Sequence, residues 1–306
     1  MNSVSVAVTA QTAGEGAARA AARRRARNSG SATRRAGWIV YALLGITLLA
    51  SVFPLYFTLL LGSSDPVEIS QNAVPQWLPD PSLFTQFRTV IESTQINFWL
   101  ALTNSLIIAV VVSLAVVMFS TLAGFSFAKL RFRGRGPLLV FVIATMAVPT
   151  QLGIIPMYIL MSDLDWIGKL QAVIVPVVVS AFGVFWMTQY LSESLPYELV
   201  EAARVDGASM IRTFWSIALP AARPAAAMLG LFTFVQQWTN FFWPSIVLSS
   251  ENPTLPLVVK SLQSNYFVDY SLVMGGVFLV TLPLLVIFAF VGKQLVAGIM
   301  QGAVKG

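Results

Sequence analysis

The chain contains no histidine and no cysteine. That excludes disulfides, zinc and haem ligation, cysteine nucleophiles and every triad built on an imidazole. Charge is scarce as well: 10% of the 306 residues are Asp, Glu, Lys or Arg and 57% are hydrophobic, whereas a soluble domain carries about 25% charged residues. A soluble globule is therefore excluded. A phosphate-binding motif is also missing. No Gly-x-x-x-x-Gly-Lys-Ser/Thr occurs, because Asp163 stands where Gly168-Lys169 needs its first glycine and Ile287 where Gly292-Lys293 needs one. The chain does not read as an ATP-binding subunit.

What the sequence does hold is six stretches free of Asp, Glu, Lys and Arg, at 36–64, 93–128, 136–162, 170–192, 224–250 and 270–292. Their apolar cores are 38–61, 98–122, 137–160, 171–190, 225–248 and 272–291. Crossing roughly 30 Å of hydrocarbon takes about 20 helical residues, so each core is long enough. A closed β-barrel would need alternating segments of about 10 residues, and these runs are apolar on all sides. The sequence predicts an all-α integral membrane protein with six transmembrane helices. The first core, 38–61, exceeds the roughly 7–15 apolar residues of a cleaved signal and reads as an uncleaved span.

Placement of the basic residues predicts the orientation. With the N-terminus inside, sixteen of the nineteen Lys and Arg fall on the inner side, and Arg88, Lys169 and Lys260 alone fall outside, together with eight of the thirteen acids. This is the positive-inside pattern, so both termini are expected in the cytoplasm. It also explains the net charge of +6 without a nucleic-acid partner. Residues 1–36 are rich in Ala, Arg, Gly, Ser and Thr and have almost nothing to bury. They read as a disordered cytoplasmic extension whose arginines can lie on anionic headgroups, ahead of a six-helix domain at 37–306.

Two connections are long. The outer one, 62–97, carries Pro66, Pro75, Pro79 and Pro81, and the spacing of Phe84, Phe87 and Ile91 predicts a short helix over 82–93. Trp77, Tyr266, Phe267 and Tyr270 in the outer loops suit the membrane interface. The inner connection, about 193–223, is the most specific part of the chain. Pro196, Glu198 and Glu201 open a helix, and Asp206-Gly207-Ala208 breaks it at a glycine able to take positive φ. Ser209 is placed to cap a second helix with Phe214, Ile217 and Leu219 on its apolar stripe, and Pro220 and Pro224 bracket the start of the fifth span. The segment is a helix-turn-helix on the inner surface.

These residues resemble a known family. Glu201-Ala202-Ala203, Asp206-Gly207-Ala208, Phe214, Ile217, Leu219-Pro220 and Pro224 are similar to the EAA loop of ABC importer permeases. Phe127-Ala128-Lys129-Leu130, Phe132-Arg133-Gly134 and the ending Gly302-Ala303-Val304-Lys305-Gly306 resemble the carbohydrate, maltose-permease-like subclass. The resemblance covers residues 38–306. It implies a multi-pass subunit of a bacterial cytoplasmic membrane that is not itself an enzyme. Glu201, Ala202, Ala203, Asp206, Gly207, Ala208, Phe214, Leu219 and Pro220 would form a coupling helix docked on the ATPase. It further implies a second homologous permease, two ATPase subunits holding ATP and Mg, and an extracytoplasmic sugar-binding protein.

For the solute path, Gln236, Asn240 and Trp243 stand at i, i+4 and i+7, which would put them on one helical face in the fifth span. Amides can pair with sugar hydroxyls while an indole packs on the C–H face of the ring; interhelical hydrogen bonding is the competing role. Asn104 and Gln151 are further candidates, and Gln237 and Trp238 read as packing residues. Two other classes stay open at this point. An ion-coupled secondary transporter ordinarily keeps an intramembrane charge, which these spans lack, though Pro149, Pro156 and Pro176 offer helix breaks. A structural membrane subunit without a path is the other.

Overall fold

The computed structural model describes residues 37–71, 76–93, 96–263 and 268–303. The extension expected over 1–36, and Tyr266 and Phe267, lie outside the described residues. The chain divides into Met1–Pro54 and Leu55–Gly306. In the first unit, the helix that begins at Trp38 presents Trp38, Leu43, Leu48 and Phe53 as exposed apolar side chains.

The helices in chain order are α1 Trp38–Ser63, α2 Pro66–Gln71, α3 Ser82–Glu92, α4 Phe98–Lys129, α5 Arg135–Thr145, α6 Ile154–Asp163, α7 Gln171–Ile174, α8 Ala181–Ser194, α9 Tyr197–Val205, α10 Met210–Thr213, α11 Leu219–Trp238, α12 Pro244–Val247, α13 Leu255–Leu262 and α14 Tyr270–Ala303. Among the described residues, five helical runs are long and apolar enough to cross a membrane, and a sixth crossing is available as a bent pair. The expected third span is that pair: Arg135–Thr145 and Thr150–Asp163 meet at 87°. The cause lies at Pro149, which has no N–H to offer the carbonyl four residues back, at Thr145, and whose ring would collide with it. α5 ends at Thr145. Pro176 similarly interrupts the fourth span with a short tight turn, Val175–Val177, between α7 and α8.

The central core is formed where α4, α8 and α11 pack together. Val112, Val116, Phe125, Met187, Leu191 and Leu229 are buried between them. α4 and α8 approach closely because Gly124 on α4 faces Met187 and Gly183 on α8 faces Ser120, each glycine leaving no β-carbon in the contact. A β-carbon on Gly124 would stand 2.6 Å from the β-carbon of Met187 and 2.8 Å from its backbone carbon. Without a hydrophobic drive between helices in lipid, such backbone proximity is how membrane helices gain packing energy.

A second cluster lies toward the opposite end of α4, where Phe98, Ala101, Trp238, Leu255, Val258 and Val273 meet. The expected helix over 82–93 is present as α3, but its buried face differs. Leu83 and Val90 are buried, Phe87 stacks on Phe278 at 6.1 Å, and Phe84 is exposed. At its start Asp80 accepts the Ser82 backbone N–H at 2.8 Å. That hydrogen bond keeps the carboxyl below its ordinary range.

Candidate functional site

The 193–223 segment has the turn expected of it. α9 begins after Pro196 with Glu198 in its first turn and Arg204 in its last, the charge order a helix dipole favours. It ends in a Schellman arrangement, with the Ala208 N–H bonded to the Ala203 carbonyl at 2.9 Å and the Gly207 N–H to that of Arg204 at 3.0 Å. Gly207 takes φ +77°. Ser209 caps α10, its hydroxyl accepting the Arg212 N–H at 3.2 Å. Glu201, Ala202, Asp206 and Gly207 are exposed, whereas Ala203 is buried. Two apolar side chains flank the turn in the open: Val205 is 87% and Ile211 73% exposed.

The second short helix does not stop before the fifth span. α10 passes through a π-helical turn, Phe214–Ala218, directly into α11, so the helical run is Met210–Trp238. Pro220 accounts for the widened turn. Its ring would strike the Ser216 carbonyl in α-helical register, and the chain instead forms an i to i−5 bond, from the Leu219 N–H to the Phe214 carbonyl. Phe214 is buried, with its ring centroid 6.1 Å from that of Phe125 on α4. Leu219 and Pro220 are half-buried.

Basic residues fasten the start of this segment and the helix ends behind it. The Arg131 guanidinium lies over the Tyr197 ring, 5.4 Å from its centroid. Lys129, 8% exposed, donates to the Ser192 carbonyl at 3.0 Å. Arg135 donates to the carbonyls of Leu130 and Ala128 at 3.3 and 3.4 Å. Cations thus meet the unpaired carbonyls at the ends of α4 and α8. The Arg131 and Lys129 links were not legible in the sequence, because their partners are far away along it.

The candidate path residues are not brought together as one face. α11 ends at Trp238, and Thr239 closes it through its N–H to Val235. Pro244 could not donate to the carbonyl of Asn240, four residues back, and Asn240 has left the helix. Gln236 is exposed on α11; Asn240 is half-buried, its amide 3.5 Å from the Gln237 side-chain oxygen. Trp243 is a packing residue, its indole N–H held by the Ala172 carbonyl at 2.9 Å. Buried Asn104 donates to the Pro253 carbonyl at 3.0 Å, beside Ser105, whose hydroxyl accepts the Leu255 N–H at 2.9 Å. Gln151 is exposed in the turn Thr150–Gly153, at the bend of the third span. Sequence reasoning missed Asn252, which donates to the Gly168 carbonyl at 2.9 Å while the Gly168 N–H bonds Val247 at 2.7 Å.

Comparison with known proteins agrees with this architecture. The chain is 33% identical over 259 residues to the arabinooligosaccharides transport system permease protein AraQ of Bacillus subtilis, covering 83% of this chain and 91% of that one. It is 32% identical over 270 residues to the lactose transport system permease protein LacG of Rhizobium radiobacter, covering 87% and 96%. A chain in the crystal structure of a bacterial ABC transporter involved in the import of the acidic polysaccharide alginate shares the fold, with a TM-score of 0.71 at 23% identity over 84% of this chain and 95% of that one. The family model described as "Binding-protein-dependent transport system inner membrane component" matches residues 120–294, which take in α8 to α11 and the turn at Gly207. With more than half its length matched, the chain belongs to that family of transport-system membrane components.

Proposed function

We propose that the chain is the permease subunit of an ATP-driven importer for a sugar or oligosaccharide, with both termini in the cytoplasm. In this reading a second homologous permease completes the pore, and two ATPase subunits bind ATP and Mg. An extracytoplasmic binding protein delivers the solute. The observation that carries the reading is the exposed turn of α9 and α10. Val205 and Ile211 are apolar surface with no structural need to be in water, as expected of a side that meets another protein. Glu201, Asp206 and Gly207 lie alongside them. The solute class is supported by the arabinooligosaccharide and lactose permeases among the relatives.

Closure of the ATPase pair displaces α9 and α10 together, since the Schellman bonds and the Ser209 cap join them without slack. The motion reaches α11 because the helical run Met210–Trp238 is unbroken, and α4 through Phe214 against Phe125. Gln236 and Gln151 are the path candidates left open to a solute. Asn104, Asn240 and Trp243 hold backbone or neighbouring side chains instead.

The test is reconstitution of the chain with its permease and ATPase partners in proteoliposomes. Uptake of labelled arabinooligosaccharides and lactose is then followed with and without ATP and binding protein. Accumulation of one sugar that requires both is the expected result. Uptake that follows an ion gradient and ignores ATP would overturn it.

A further inference from the structure

Of the three basic residues on the side away from the α9–α10 turn, two are neutralised: Arg88 pairs with Glu92 and Lys169 with Asp165, each at 2.9 Å. Lys260 has no carboxylate within ion-pair distance among the described residues. Its ammonium rests 5.5 Å from the centre of the Phe241 ring.

Lys260 lines an open groove of about 400 Å³ between the end of α11, α13 and α14. Its polar groups are Thr239, Lys260, Gln263 and Thr281, the last with its hydroxyl donated to the Val277 carbonyl of its own helix at 2.8 Å, while Val277, Val280 and Leu284 give the α14 wall its apolar surface. From Val277 to Leu284 that wall extends roughly 10 Å at 1.5 Å per residue. α13 is amphipathic, burying Leu255, Val258 and Leu262 while Lys260 stays exposed. A cation on α13 beside an apolar wall of a transmembrane helix matches the two parts of a lipid: a charged head and a hydrocarbon tail.

We propose that this groove seats one acyl chain of an anionic phospholipid whose phosphate is bound by Lys260. The apolar trough excludes a free phosphate as the occupant, and the unpaired ammonium favours an anionic headgroup over a zwitterionic one. The inference rests on the membrane location of the chain and not on its solute, so it stands or falls separately from the transport reading.

The experiment uses the assembled complex in vesicles of phosphatidylcholine with 20% phosphatidylglycerol, with a trace of either lipid carrying a photoreactive group on its acyl chain. Labelled peptides are mapped by mass spectrometry. Photoreactive phosphatidylglycerol should label 277–284. Lys260→Gln should reduce that labelling roughly fivefold, the equivalent of about 1 kcal/mol for one basic residue at an anionic surface. Val280→Trp, which fills the trough and leaves the charge, should abolish it. The proposal is overturned if the two lipids label 277–284 alike, if Lys260→Gln changes labelling less than twofold, or if the segment cross-links to the second permease instead.

Discussion

The ammonium of Lys129, on the last residue of α4, donates to the carbonyl of Ser192 in the last turn of α8, 3.0 Å away and largely out of solvent. In a chain with so few charges, this cation has a structural task. It caps a neighbouring helix at a last-turn carbonyl, beyond the reach of the helix's own donors.

Lys129→Met keeps the apolar stem and removes the donor. The Ser192 carbonyl is then left unpaired, and the purified complex should lose about 1–2 kcal/mol of stability. Thermal unfolding in detergent measures this. A melting curve unchanged from wild type would mean that solvent satisfies the carbonyl and that Lys129 matters only for orientation.

Gly207 allows backbone and space to be separated. No atom lies within 4 Å of a β-carbon built there, yet φ is +77°. Steric crowding with neighbours is absent, and the conformation alone should penalise a side chain, by about 1–2 kcal/mol for alanine. Asparagine tolerates this region better and β-branched residues worse. ATP-dependent uptake should therefore fall in the order Gly207→Asn, Gly207→Ala, Gly207→Val, with near-normal protein in the membrane for all three. Equal uptake across the series would contradict the assignment.

Gly124 is the opposite case. A methyl group there meets the Met187 backbone at 2.8 Å, so α4 and α8 must separate. Gly124→Ala should destabilise the complex by about 1–3 kcal/mol, the range for overpacking. Gly136→Ala, at a site with nothing within 4 Å, should change stability by less than half as much. The contrast is read from paired melting curves, and similar losses at both sites would remove the close-packing argument.

Much of this was legible in the sequence. Charge-free runs located the membrane segments, and the Asp206-Gly207-Ala208 turn with its Ser209 cap followed from local backbone chemistry. What was not legible depended on partners distant in the chain or on where a helix stops. Pro149, a break the sequence offered, ends α5 at Thr145 and bends the third span by far more than that reading required, while α11 stops at Trp238, before the face that was to carry Asn240 and Trp243. A spacing rule assumes the helix continues, and a proline four residues ahead is the local sign that it does not.

That distinction separates the candidate path residues by experiment. Asn104 is buried and bound to the Pro253 carbonyl. Asn104→Leu strands that acceptor and should cost about 1–3 kcal/mol, leaving the KM for sugar uptake unchanged in the protein that still assembles. Gln236 is exposed on α11. Gln236→Leu should leave the melting curve alone and raise KM at least threefold, roughly the loss of one modest hydrogen bond to a hydroxyl. Stability and KM are read on the same preparation of each variant. If Gln236→Leu lowered stability with KM intact, the residue would be packing against a neighbouring subunit. If Asn104→Leu raised KM at full stability, Asn104 would belong to the path after all.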